Sequence, residues 1–415
     1  MTWLNYWGSI HVSAIDLGLE RVQPVAEYLQ LLKPNAKIIT VAGTNGKGST
    51  TATIAKILQC ANYHVGLYQS PHLFKFNERV MINGEAANDN DLIQAFVEVE
   101  QARIACNLTL SFFEATTLAA FLLFKQKACD VWVLEVGLGG RLDVVNLLDA
   151  DLAVITNIGL DHVDWLGDTI EKVAFEKAGI IRDGIPVIFA GEQDLPQAIA
   201  DKIEQHQAKL YQLNQDYFFE QQPDSLTIAT PALTLNLPKG KLAAINQAAA
   251  VMAVLNSDLN VSQQAIADGI RGTQLIGRFQ MLEYQGRTLL LDVAHNPHGV
   301  DFLLKQLAHY RQQHAQFKNV VAVFSMLADK DIQQVTNSLA KDVKKWYISP
   351  LNVARAASLA QLQHALVNQD VTISDSVLQS LNLAIAQTSK QDLILICGSF
   401  HTLEEIWEHL HHGNE

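Results

Sequence analysis

What the chain lacks removes several classes of function. Its 415 residues include only four cysteines, Cys60, Cys106, Cys129 and Cys397, far apart and without a CxxC spacing. That spacing argues against a disulfide framework and against a thiolate metal cluster. Three of the four lie in apolar stretches, which predicts buried free thiols and a reducing, cytoplasmic setting. Positive charge is also short: 30 Lys and Arg against 43 Asp and Glu leave a net charge of −13. The basic patch that nucleic-acid binding needs is therefore not expected, and an anionic substrate would depend on locally placed cations. No apolar run reaches the roughly 18–20 residues that span a bilayer. The best candidate, Leu118 to Phe124, is far too short and predicts a buried helix instead. The N-terminal stretch has neither a basic segment nor a continuous apolar one, so no signal peptide and no membrane association are expected.

What is present is ample apolar material. Hydrophobic residues make up 49% and charged residues 18%, enough for substantial cores, and the length favours two domains. Strand-like runs at Lys37–Ala42, Val131–Val136, Leu152–Thr156 and Pro186–Ala190 alternate with helical patterns at Asp89–Ala105, Phe113–Lys127 and Thr169–Ile180. This alternation predicts an α/β fold, a parallel sheet with helices on both faces. Short β-like pieces broken by prolines follow from about Tyr217 to Leu237, then helical blocks at Asn246–Leu255 and Ser262–Gly269. A second α/β series begins near Arg287, with strands at Leu289–Val293, Val320–Phe324, Lys345–Ser349, Val371–Ser374 and Leu393–Cys397. The boundary falls at about residue 275, giving domains 1–275 and 276–415.

The most informative segment is Ile38 to Thr50, in which a buried strand runs into Gly43-Thr44-Asn45-Gly46-Lys47-Gly48-Ser49 and then into a helical pattern, Ser49–Ala61. Strand, glycine loop and helix in that order make a phosphate cradle: backbone N–H groups and the helix N-terminus face the anion, and the lysine adds charge. The spacing is shorter than the common G-x-x-x-x-G-K-[ST] loop, because Gly43 precedes Gly46-Lys47 by only three residues. A hydroxyl from Ser49 or Thr50 stands where it could reach a phosphate-bound Mg²⁺.

Further polar residues fall at strand ends. Glu135 closes a buried strand, where a carboxylate either holds Mg²⁺ against phosphates or is satisfied locally. His162 follows the next strand; alone, such a histidine is more often structural than a ligand of an oxygen-preferring ion. Lys177 lies in the helical stretch Glu171 to Ile180. It is either a solvated lysine paired with Asp161 or Asp164, or an amine near bound cations, neutral enough to take up CO₂ as a carbamate. Asp292-Val293-Ala294-His295-Asn296-Pro297-His298 is either a polar turn that caps the next helix or part of a site. Arg278, in the interdomain segment, either reaches nucleotide phosphate or braces a hinge.

Eight motifs occur in order: GTNGKGS from Gly43, Ser70-Pro71-His72-Leu73, LEVGLGGRLD from Leu134, LDHVDWLG from Leu160, FEKAGI from Phe175, GRFQ from Gly277, DVAHNPH from Asp292, and Cys397 to Thr402. Together they resemble the bacterial bifunctional dihydrofolate synthase/folylpolyglutamate synthase family of the Mur ligase superfamily, from about Ile15 to Thr402. The resemblance implies a P-loop ATPase-type parallel-sheet N-terminal domain, a smaller Rossmann-like, glutamate-binding C-terminal domain, and an active site in the cleft between them. It implies ATP contacts from Thr44, Asn45, Gly46, Lys47, Gly48, Ser49, Asn246, Arg278 and Asp292. It places Mg²⁺, two ions in the family, on Ser70, Glu135 and His162, and a carbamate on Lys177, with Lys47, Lys177, His162 and Glu135 as catalytic residues.

The same resemblance assigns dihydropteroate or folate binding to three segments: Asp16-Leu17-Gly18-Leu19, Ser111-Phe112-Phe113-Glu114 and Leu142-Asp143-Val144. Without it, the stretch Ile15 to Val22 reads simply as a helix with an acid near its start. The implied reaction is ATP-driven amide synthesis between L-glutamate and dihydropteroate or a reduced folate by a monomeric enzyme. A folylpolyglutamate synthase without the dihydropteroate activity is the nearest alternative, and a non-catalytic ATP-binding protein is the alternative of a different class.

Overall fold

Strand β1 (Lys37–Ala42) sends its side chains alternately into two apolar cores, Ile38 and Ala42 to one, Ile39 and Val41 to the other. A strand buried on both faces reads as a continuous apolar run, which is why it was legible in the sequence. The computed structural model describes residues 2–11 and 18–412, and the chain falls into two compact units, Met1–Gln274 and Leu275–Glu415.

In the first unit β1 is joined by β2 (Val65–Tyr68), β3 (Val80–Ile82), β4 (Glu85–Ala86), β5 (Val131–Glu135), β6 (Leu152–Ile155), β7 (Pro186–Phe189) and β8 (Lys209–Gln212). They form an eight-stranded sheet in the order β4-β3-β2-β5-β1-β6-β7-β8. The strands from β2 to β8 in that order are parallel, and β3 and β4 extend one edge antiparallel. The core on one face includes residues of the helices Lys47–Cys60, Ala244–Leu255 and Gln263–Gly272. The other includes residues of the helices Asp89–Ala105, Phe112–Gln126 and Ile170–Ala178. A small antiparallel sheet, β9 (Phe218–Gln221), β10 (Ser225–Ala229) and β11 (Thr234–Pro238), adds Leu226, Ile228, Leu235 and Leu237 to the first of these cores.

After β1 the chain crosses to β2 on one side, whereas after β5 it crosses β1 to reach β6 on the other. Such a reversal leaves a crevice at the carboxyl ends of the parallel strands, where ligands bind in open α/β sheets.

The second unit holds a six-stranded sheet. Its members are β12 (Gln280–Tyr284), β13 (Arg287–Leu291), β14 (Asn319–Phe324), β15 (Val343–Ile348), β16 (Val371–Ile373) and β17 (Asp392–Cys397), in the order β12-β13-β17-β14-β15-β16. Five strands are parallel and β12 pairs antiparallel at the edge. Helices Pro297–Gln313, Ile332–Leu339 and Leu359–Ala365 contribute to the core with Leu290, Ala322 and Trp346. Helices Val377–Gln387 and Phe400–His412 also pack against this sheet. Both units are α/β with largely parallel sheets.

Several expectations need correction. The stretch Leu19 to Val22 is a turn, with helix only from Gln23 to Tyr28; Pro24 is tolerated in the first helical turn. Asp16 and Leu17 lie outside the described residues. All four cysteines are free, but only Cys129 and Cys397 are buried. Cys60 ends a helix and Cys106 caps one, so both stay half-buried. No described helix is long and apolar enough to cross a membrane.

Candidate functional site

The glycine loop between β1 and its helix is stitched to the segment that follows β6. Thr44 donates its backbone N–H to the Asn157 carbonyl at 3.0 Å, and its hydroxyl bonds Gly159 through both O and N–H. The Asn45 N–H donates to Asn157 Oδ1 at 3.0 Å, while Thr156 Oγ1 and Asn157 Nδ2 donate to the Asn45 carbonyl. This network fixes the loop's backbone without using its helix-side N–H groups. Gly43 has φ +146°, and a Cβ there would overlap the Thr156 hydroxyl. Gly46 has φ +86° and is the N-cap of the helix Lys47–Cys60, and a Cβ on it would overlap the Asn246 side chain. Asn246, on the buried helix Ala244–Leu255, therefore abuts the loop.

The helix starts at Lys47, two residues before its expected start at Ser49, because left-handed Gly46 turns the chain directly into it. One consequence is that Thr50 points inward: its hydroxyl is sealed from solvent without a hydrogen-bond partner, so it is not available to a metal.

Lys47 Nζ donates to the carbonyls of Gly43 at 3.0 Å and Thr44 at 3.2 Å. Lys177 Nζ donates to the same Gly43 carbonyl at 3.0 Å. Lys177 is buried, so the solvated-lysine alternative is overturned. Burial is the main cause that lowers its pKa to about 7; the charge of Lys47 adds to the shift, while Asp161 and Asp143 oppose it.

On the other side of β1, Glu135 ends β5 and is buried. Its Oε2 accepts the Ser70 N–H at 3.3 Å, and a Cβ on Gly48 would lie 3.6 Å from the same oxygen. Gln69, for which the sequence reading had no signal, donates to the Gly48 carbonyl and to Thr51 Oγ1, both at 2.8 Å. Loop, carboxylate and the Gln69-Ser70 segment are thus held together. His162 stands exposed on the turn beyond β6, in a left-handed conformation with φ +51°, its backbone N–H on Asp161 Oδ1.

Among the described residues no three His, Cys, Asp or Glu side chains gather into a metal cage. One buried carboxylate beside a phosphate-type loop, with a serine next to it, nevertheless fits a hard cation that keeps its waters and shares phosphate oxygens.

Two family domains match the chain: the Mur ligase middle domain over residues 41–254 and the Mur ligase glutamate ligase domain over residues 277–400. The dihydrofolate synthase/folylpolyglutamate synthase of Escherichia coli K12 is 42% identical over 410 residues, 98% of this chain and 94% of that one. The chain belongs to the dihydrofolate synthase/folylpolyglutamate synthase family of Mur ligases. The solved E. coli FolC in complex with DHPP and ADP matches with a TM-score of 0.94 at 40% identity, covering 100% of this chain and 98% of that chain. A solved bifunctional folylpolyglutamate synthase/dihydrofolate synthase with Mn, AMPPNP and L-glutamate bound matches with a TM-score of 0.90 at 41% identity, covering 99% and 97%. The family resemblance read from the eight motifs is borne out.

Within this Mur ligase chain, Ser111 and Glu114 form a capping box at the start of the helix Phe112–Gln126. Glu114 is buried and also takes a two-pronged contact from Arg21, whose guanidinium donates at 2.9 and 2.6 Å. Arg21 was not singled out from the sequence, yet it ties the segment containing Gly18 and Leu19 to Ser111–Glu114. Phe112 and Phe113 are half-buried: the Arg79 guanidinium stands 5.7 Å from the Phe112 ring, and Tyr68 packs on Phe113. Arg79, another residue without a sequence signal, also donates to His72 Nδ1 at 2.7 Å.

In the third segment Leu142 is half-buried, whereas Asp143 and Val144 are buried. Asp143 accepts the N–H groups of Gly137, Leu138 and Val145. Burial pushes its carboxyl up to about 6 against those bonds.

In the second unit, Asn296 accepts the Gly299 N–H and caps the helix Pro297–Gln313, so the capping alternative holds for that residue. Asp292 is buried and accepts the N–H groups of Phe279 at 2.9 Å and Ala294 at 2.8 Å. Burial raises its carboxyl pKa, with Arg278 and the two N–H groups opposing. The Arg278 guanidinium stands 5.2 Å from the Phe400 ring.

Proposed function

We propose that this protein joins L-glutamate to dihydropteroate, giving dihydrofolate, and further glutamates to reduced folates, at the expense of ATP. The observation that carries the reading is the glycine loop with Lys47 and Lys177 on one carbonyl and Glu135 beside it, in a chain 42% identical to a dihydrofolate synthase/folylpolyglutamate synthase over 98% of its length.

A carboxylate is a poor acyl donor to an amine because oxide is a poor leaving group. Transfer of the ATP γ-phosphoryl to that carboxylate gives an acyl phosphate and ADP. The glutamate amine then attacks the acyl carbon, and the tetrahedral intermediate collapses with loss of phosphate and a proton. The chain's part is positioning and charge neutralisation. The N–H groups of Gly46 to Ser49 and the helix N-terminus cradle the phosphates, Thr44 and Asn45 shape the loop through their bonds to Asn157, and Lys47 neutralises the charge. Asn246 abuts the loop at Gly46, and Arg278 and Asp292 are assigned to the nucleotide by the family resemblance.

Mg²⁺ held by Ser70, Glu135 and His162, as two ions, would supply further charge neutralisation at the phosphates. Lys177 in its neutral form adds CO₂ through its nitrogen and releases a proton, leaving an anionic carbamate. Support for that role is the burial of the amine and its lowered pKa. Loss of activity in Lys177→Ala, restored by short carboxylic acids, is the expected result. The pterin end of the acid substrate is assigned to Asp16 to Leu19, Ser111 to Glu114 and Leu142 to Val144. Phe112 and Phe113 offer half-exposed rings for stacking. The proposed enzyme works in the cytoplasm, a reading that the free thiols support, and acts as a monomer on small molecules without nucleic-acid or membrane partners.

The deciding experiment is phosphate release by the purified protein with ATP, Mg²⁺ and L-glutamate, comparing dihydropteroate with tetrahydrofolate. Release with both, with the glutamylated products confirmed by mass, is expected. Release with tetrahydrofolate alone would reduce the protein to a folylpolyglutamate synthase.

A further inference from the structure

Gln69 leaves β2 beside Glu135, since Tyr68 pairs with Leu134 in the parallel register of β2 and β5. Its half-buried side-chain amide reaches the first turn of the helix Lys47–Cys60, where Nε2 donates to the Gly48 carbonyl and to Thr51 Oγ1, both at 2.8 Å. The Thr51 hydroxyl is itself directed at the carbonyls of Lys47 and Gly48, at 3.0 and 3.1 Å, so it accepts from Gln69. Two acceptors fix the amide with its NH₂ group towards the helix. The Gln69 backbone is held as well: its N–H donates to the Arg79 carbonyl at 3.0 Å. The next N–H, that of Ser70, goes to Glu135 Oε2 at 3.3 Å. Gly48 lies between the two side chains: a Cβ there would stand 3.6 Å from Gln69 Nε2 and 3.6 Å from Glu135 Oε2. Gln69 thus ties the turn that follows Gly46 to the ends of β2 and β5, where Ser70 and Glu135 stand.

We propose that Gln69 is a positioning residue: it sets the spacing between the phosphate loop and the cation side, Glu135 and Ser70, so that nucleotide and divalent cation bind as a unit. The proposal rests on the reading of the loop as phosphate-binding and of Glu135 and Ser70 as cation-holding. A cation that shares phosphate oxygens while held by protein groups must meet both at short, fixed distances, and Mg²⁺ tolerates little departure from octahedral geometry. The N–H groups that face phosphate belong to the loop and helix backbone, which Gly46 and the bonds of Thr44 and Asn45 shape without Gln69. Nucleotide binding without a cation is therefore nearly independent of Gln69. The gain in affinity that the cation adds is what depends on it, and that gain is a coupling between two ligands.

The test is calorimetric titration of ADP into the full-length protein, once with a chelator and once with Mg²⁺. The readout is the ratio of the two dissociation constants. Gln69→Met keeps the length of the side chain and removes both bonds. It should lower that ratio about tenfold, the order expected for two lost hydrogen bonds, and shift the metal-free constant by no more than about threefold. Thr51→Val leaves Gln69 intact, takes away one of its acceptors, and should lower the ratio about threefold. Thermal unfolding of each variant checks that it is folded. Equal weakening with and without Mg²⁺ would make Gln69 a brace of the loop alone and overturn the spacing role. An unchanged ratio in either variant overturns it too. If Mg²⁺ does not tighten ADP binding in the parent, or if Glu135→Gln leaves the parent's ratio intact, the reading of the cation side fails first, and the proposal falls with it.

Discussion

Lys47 and Lys177 donate to one and the same acceptor, the Gly43 carbonyl, each at 3.0 Å. One comes from the helix that begins at the glycine loop, the other from a helix that starts more than a hundred residues later. Burial first, and the neighbouring Lys47 charge second, lower the pKa of Lys177 to about 7. A lysine that is partly neutral near physiological pH is a nucleophile, and this one is positioned by the backbone of the glycine loop.

The first prediction concerns stability. The folded-state pKa of Lys177 is about 7, below the ~10.4 of an unfolded lysine, so between those values the unfolded chain binds more protons. Below pH 7 both states are protonated and the full penalty of burying the charge applies. As pH rises from 7 towards ~10.4 that penalty is relieved, by at most ~1.4 kcal/mol per unit. Lys177→Met should therefore be more stable than the parent at pH 6, with the advantage shrinking steadily towards pH 10. Urea unfolding in CO₂-free buffer across this range measures it. A difference independent of pH would contradict the assignment.

Gly46→Ala tests the loop. The left-handed N-cap conformation costs alanine ~1–2 kcal/mol, and the new Cβ would collide with the Asn246 side chain. The backbone N–H groups that follow would move with it. We expect the KM for ATP to rise at least tenfold while the protein remains folded, since the disturbance is confined to the loop and one side chain. Titration with ADP by calorimetry separates weaker binding from slower chemistry.

Much of this arrangement was legible in the sequence because strands buried on both faces and glycine loops leave strong local patterns. Strand β1 and the helix Asp89–Ala105 have the bounds that the sequence reading gives. The loop from Gly43 to Lys47 follows β1 and leads into a helix, as the order of residues requires. Residues that act through distant partners were not legible. Gln69 reaches Gly48 across 21 positions and Arg21 reaches Glu114 across 93, and nothing in the local pattern of either arginine or glutamine announces such a partner. Lys177 stood open between surface and site because a helix lysine looks the same in sequence whichever way it faces. Of the two hydroxyls offered as alternatives, Ser49 or Thr50, the one on Thr50 faces inward, which local sequence does not reveal.

The Arg21–Glu114 contact gives a third prediction. Glu114 is buried, and Arg21 keeps about a quarter of its side chain exposed, at 24%. Removing the guanidinium leaves the carboxylate with only the Ser111 N–H as its bonding partner among the contacts described above. Full burial would put the cost of breaking such a pair at 3–5 kcal/mol, and the partial exposure of Arg21 lowers the expectation to about 2. Arg21→Met should also raise the KM for dihydropteroate, with the KM for ATP unchanged. A double-mutant cycle with Glu114→Gln, read by urea unfolding, isolates the pair. Additive losses would show that the two side chains do not depend on one another.

The last prediction concerns the metal. Glu135 is buried at the end of β5, and its Oε2 accepts the Ser70 N–H. Gln at that position keeps the shape and one acceptor oxygen, so the fold should survive with little change in melting temperature. What it removes is a negative charge next to the phosphate loop, the feature a hard divalent cation needs most. Glu135→Gln should therefore lose on the order of 10² in kcat at ordinary Mg²⁺ and regain part of it at higher Mg²⁺. The parent enzyme, stripped with a chelator, should recover on adding Mg²⁺ or Mn²⁺. A Glu135→Gln enzyme with the parent's rate and the parent's Mg²⁺ dependence would remove Glu135 from the metal site. The divalent ion would then have to be held by the phosphates and other residues.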